Sequence, residues 1–114
     1  MRDFVMFVSG RQSEVHVKTD LERSTWREEC QSYFRRLERE HGHTEGSQLR
    51  HNGRDIYMDG HKIVVDGPFA ETKEVLNGYI RFQANSFEEA LDLAKQFPSL
   101  KYGESVQVFE TTQH

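Results

Sequence analysis

Residues 75–91, VLNGYIRFQANSFEEAL, decide the fold, because two periodicities meet inside them. From Val75 to Ala84, apolar Ile80, Phe82 and Ala84 alternate with Tyr79, Arg81 and Gln83. That is the repeat of a strand with one face in the core and the other toward solvent or a cavity. The period then changes. Ser86 and Glu89 make a capping box, and Phe87, Ala90, Leu91, Ala94 and Phe97 supply an apolar helical stripe that Pro98 closes.

Upstream, Ile56-Tyr57-Met58 faces His61 to Val65 across Asp59-Gly60, a signal for a two-residue hairpin turn, and Ser47 to Arg50 reads as a weak strand before it. Thr25 and Glu28 form an earlier capping box, after which Trp26, Cys30, Tyr33, Phe34 and Leu37 recur at helical spacing until Gly42. The opposite face, with Arg27, Glu28, Arg35, Glu38 and Arg39, is read as solvated. Phe4 to Ser9 and Ser105 to Glu110 read as the first and last strands, while the loop 10–24 with its Val15-His16-Val17 alternation carries no assignment. Strand, helix, strands, helix, strand predicts an α+β fold of ferredoxin-like type, an antiparallel sheet with two helices on one face. Residues 1–114 read as a single domain without repeats or linkers.

Composition narrows the function classes. Apolar residues are 35% of the chain and charged residues 30%, a lean supply for a core, so a partner subunit is expected to help bury surface. Fifteen Lys plus Arg against 19 Asp plus Glu give a net charge of -4, with no general drive toward nucleic acid. No run has the apolar length of a membrane span, and Met1-Arg2-Asp3-Phe4 is unlike a signal peptide, so a cytoplasmic protein is expected, with no membrane partner. The single cysteine, Cys30, excludes an internal disulfide and reads as a buried, unreactive thiol.

Chemistry concentrates in Asp66-Gly67-Pro68-Phe69-Ala70-Glu71-Thr72-Lys73-Glu74, directly after the Ile63-Val64-Val65 strand. Pro68 fixes its own φ and restricts Gly67, so the chain turns sharply and holds Asp66 at a strand end. Two readings of Asp66 stay open. In one it accepts backbone N–H groups in an Asx-turn while Phe69 plugs the core; in the other it faces a cleft as a general acid or base. Glu71, Lys73 and Tyr79 join Phe69 as candidate substrate-binding residues, against a reading of the same stretch as an exposed turn with weak ion pairs. His41 and His43, with His51 and His61 as further donors, invite a metal reading. Their spacing past a helix end does not converge ligands, so no metal or cofactor is expected.

The run from Val64 to Glu74, with Leu76, Gly78-Tyr79, Ser86 to Leu91 and Phe97-Pro98, resembles the YCII-related family, in particular its branch named for the Asp-Gly-Pro-Phe motif. The resemblance implies a dimeric α+β barrel, hence a homodimer, with clefts between sheet and helices or at the subunit junction. It also implies an aspartate at the Asp66 position working with a histidine of the first helix. The expected helix Trp26 to Glu40 holds no histidine, and His16, His41 or His43 lies outside it. Asn77 stands where the family pattern often has glycine. Two functions follow as expectations. One is a small-molecule site, with or without catalysis, in which Asp66 moves a proton on a small polar or phenolic substrate held by Lys73 and Tyr79. The other is a non-enzymatic interaction module tied, by family resemblance, to an alternative sigma factor.

Overall fold

The computed structural model describes residues 1–11, 19–70 and 73–112. In chain order the elements are β1 (Arg2–Arg11), α1 (Asp20–His41), β2 (Glu45–Gln48), β3 (Asp55–Asp59), β4 (Lys62–Asp66), β5 (Glu74–Ala84), α2 (Phe87–Ala94), a 3-10 turn (Pro98–Tyr102) and β6 (Ser105–Glu110). The main sheet has four strands in the order β2-β5-β1-β6, all neighbours antiparallel, and β3 with β4 forms a separate two-stranded ribbon. This is an α+β, ferredoxin-like arrangement.

The alternation in β1 and β5 sets the core. Phe4, Met6 and Val8 pair with Phe82, Ile80 and Gly78, so their side chains share one face of the sheet. Tyr33 and Leu37 of α1, and Ala90, Leu93, Ala94 and Phe97 of and after α2, close over that face in one buried cluster. The Tyr33 hydroxyl donates to the Leu93 carbonyl at 2.6 Å, which ties the two helices together. The other face of the sheet carries Val5, Phe7, Tyr79 and Phe109, with Phe7 and Phe109 edge to face at 5.9 Å, and among the described residues no element covers it.

Several boundaries differ from the sequence reading: β2 is Glu45–Gln48 and not Ser47–Arg50, α2 ends at Ala94 ahead of Pro98, and α1 runs through His41, so the first helix does hold a histidine, at its last position. Helix α1 starts a turn and a half before Thr25, because Thr19 is its N-cap: Oγ1 accepts the Glu22 N–H at 3.0 Å, and Asp20 pairs with Arg23 at 3.1 Å. The hairpin turn is Gly60-His61, since Asp59 still pairs with Lys62 and Gly60 takes the positive φ of 62° that such turns need at their first central position. In α2 the buried stripe runs through Leu93, while Leu91 and Phe87 are each 38% exposed. The cap itself is as expected, Ser86 Oγ accepting from Glu89 N–H at 3.1 Å, and Gly42 ends α1. Among the described residues no helix is long and apolar enough to cross a membrane.

The ribbon β3–β4 stands away from the body. Cross-strand pairs Ile56–Val65 and Met58–Ile63 put four apolar side chains on one of its faces, each 60–70% exposed. The molecule accordingly measures 47 × 44 × 19 Å with a radius of gyration of 16.0 Å. A compact chain of this length would have about 13 Å.

Candidate functional site

Helix α1 lies over the β2 side of the sheet without closing on it. Between them is a cavity of about 840 Å³, walled by Trp26, Cys30 and Phe34 of the helix, by Val8 and Ile80 of the sheet, and by Phe97. These are the residues that helical spacing placed on the apolar face of α1, yet Trp26, Cys30 and Phe34 are only half-buried, because the space in front of them is open.

The polar end of this cavity comes from an irregularity in β5. Val8 pairs with Gly78 but Ser9 pairs with Leu76, so Asn77 is an extra residue in the strand, a β-bulge. Gly78 accommodates it: a Cβ there would sit 2.9 Å from the Ser47 carbonyl of β2. Asn77 Nδ2 donates to Glu104 Oε2 at 2.7 Å, and Asn77 Oδ1 lies 3.1 Å from His51 Nε2. With the amide nitrogen committed to a carboxylate, the amide oxygen must accept, so His51 Nε2 is the donor, and in the neutral ring Nδ1 is then the acceptor. His51, Asn77 and Glu104 thus form a hydrogen-bonded row along the cavity wall.

A second polar group sits deeper. The Trp26 indole N–H donates to the Ser99 hydroxyl at 2.6 Å, and Ser99 is fully buried in the 3-10 turn. Ser99 also bonds to Cys30, but burial outweighs that bond and pushes the Cys30 thiol up from its ordinary range, so it stays protonated. Lys101 and Tyr102 both bond Glu29, fastening the 3-10 turn to α1.

The residues of the Asp-Gly-Pro-Phe stretch lie elsewhere. Asp66 is exposed at the end of β4, opposite Asp55, and lines neither this cavity nor a second one of about 500 Å³ at the base of the ribbon. Gly67 has a φ of 132°, and a Cβ on it would meet Arg54 Cδ at 2.7 Å, so the turn requires glycine. Phe69 and Lys73 do come together: Lys73 Nζ is 4.0 Å above the Phe69 ring and 3.4 Å from Asp55, on the wall of the smaller cavity. Register with Phe7 and Ser47 turns the Tyr79 side chain to the open face of the sheet, its backbone behind the larger cavity. Glu71 and His16 lie outside the described residues. His41 turns toward Glu89 at 3.4 Å and His43 toward Glu45 at 3.7 Å, so the pair faces apart.

Sequence reasoning named His51 only as a possible metal donor, and it did not find Glu104 or the role of Asn77. The signal available was Gly78 inside an otherwise regular strand, a mark of a bulge or a close backbone approach. Here it marks both.

A family model described as the YCII-related domain matches residues 4–112. Over 52 residues the chain is also 46% identical to an uncharacterized protein of Rhizobium meliloti (strain 1021), a match covering 46% of this chain and 37% of that protein. The chain therefore spans little more than a third of the length of that curated relative.

Proposed function

The chain belongs to the YCII-related domain family, and within it we propose a small-molecule-binding protein whose ligand occupies the cavity between α1 and the sheet. The observation that carries this reading is the bulge at Asn77, which aligns His51 and Glu104 along the wall of an otherwise largely apolar space of ligand-sized volume. Where the ligand undergoes reaction, His51 Nδ1 is the group placed to take a proton. Asp66 reaches that ligand only if a second protomer carries it there. The Asp66 to Phe69 motif supports placing the chain in the family's Asp-Gly-Pro-Phe branch.

The same reading includes a homodimer. It is supported by two uncovered apolar surfaces on one chain, the open sheet face with Phe7 and Phe109 and the ribbon face with Ile56 and Ile63. The ribbon also favours the second reading, an interaction module for a protein partner such as a sigma factor, if the protein remains monomeric with that face free.

Two-dimensional NMR titration with a panel of small aromatic compounds tests the site. Saturable shifts of the Trp26 indole N–H and the Leu49 amide, with the Asp66 amide unmoved, are expected. Shifts confined to residues 55–66, or none that saturate, would remove the cavity as the binding site.

A further inference from the structure

The charges around the larger cavity are out of step with the protein as a whole. The chain carries a net charge of -4. Yet Arg23 and Arg27, on successive turns of α1, line the cavity, and the acid on its wall, Glu104, is engaged by Asn77. Arg23 shares an exposed, weak pair with Asp20. Arg27 has no hydrogen-bond or ion-pair partner among the described residues. A guanidinium left free at the edge of an apolar cavity is suited to a planar anion, which it holds through two parallel N–H bonds.

The walls set the rest of the ligand. Trp26, Phe34 and Phe97 present aromatic surface inside the cavity. Aromatic walls favour flat rings, and low-dielectric walls focus the field of the two arginines into the space between them.

Resting on the cavity reading above, we propose that the ligand is an aromatic carboxylate of about two rings, its carboxylate held by Arg27 with Arg23 beside it, its rings against Trp26 and Phe34, and its far edge toward His51. Neutral and cationic aromatics of the same shape bind more weakly.

The test is calorimetric titration of the whole chain with 1-naphthoate, 1-naphthamide and 1-naphthylmethylamine, with the Trp26 indole N–H followed by NMR as the site marker. The expected result is that naphthoate binds at least about tenfold more tightly than the amide, that the advantage shrinks as salt is raised, and that in Arg27→Gln acid and amide bind with similar affinity. Arg27 is exposed, so this variant is expected to fold. Equal affinities for acid and amide, a preference for the amine, or an advantage that survives both Arg27→Gln and Arg23→Gln would overturn the proposal and leave the cavity reading standing. Failure of all three compounds to shift Trp26 would take down the cavity reading, and this inference with it.

Discussion

A single residue, Asn77, connects both halves of the polar wall, and its amide is used at both ends. In Asn77→Ala the His51 ring loses the acceptor that fixes its tautomer. We expect ¹⁵N spectra of the imidazole to change from one predominant tautomer, protonated on Nε2, to a mixture; an unchanged ring would show that Asn77 does not set it. Cys30 gives a second residue-scale prediction. Burial raises its pKa, so the folded state holds the proton more tightly than the unfolded chain. The stability this confers is fully present below the unfolded-state pKa and is lost as pH rises through the higher folded value. Alkylation of the native protein by iodoacetamide at pH 8 should accordingly be slower than that of the urea-unfolded chain, and cavity ligands should slow it further. Equal rates would contradict the assigned environment. Tyr33→Phe removes the bond to the Leu93 carbonyl and should cost about 1 kcal/mol in urea unfolding. The loss is modest because the same carbonyl also accepts from Gln96 N–H at 3.2 Å.

Individual elements differ in what holds them. Helix α1 depends on its Thr19 cap and on burial of Tyr33 and Leu37, so Thr19→Ala should cost about 1 kcal/mol, whereas Thr25→Ala, inside the helix and exposed, should cost little; melting curves of the two variants decide which box is the cap. The elements whose periodicity is set by the core were legible in the sequence. β5 shows its alternation from Tyr79 to Ala84, β6 its bounds from Ser105 to Glu110, and α2 its Ser86 cap. Legibility stops where local rules compete. Thr19 and Thr25 both head capping boxes three residues from a glutamate, and pattern alone does not rank them. The cavity was not legible because it depends on how far α1 stands off the sheet, a matter of tertiary packing. The dense 66–74 stretch drew attention to itself through turn chemistry, and Gly67 and Pro68 account for much of that density without a ligand.

At the scale of the whole molecule, an isolated two-stranded ribbon is at best marginally stable in water, and this one keeps its apolar face exposed. In the proposed homodimer a second copy covers it. Ile56→Asp combined with Ile63→Asp should then convert dimer to monomer in sedimentation while the monomer core keeps its secondary structure, and the wild-type melting temperature should rise with protein concentration. A dimer that survives this pair of changes but is lost in Phe109→Asp would assign association to the open sheet face alone. The bulge has a different consequence, for how such a site comes and goes in descent. The pairs Val8–Gly78 and Ser9–Leu76 flank Asn77 without using it, so loss of that one codon would leave the facing of every core side chain in β1 and β5 unchanged. The link between His51 and Glu104 therefore hangs on a position that the core pairing does not use, and exchange of its side chain can remove that link without touching the scaffold that carries it.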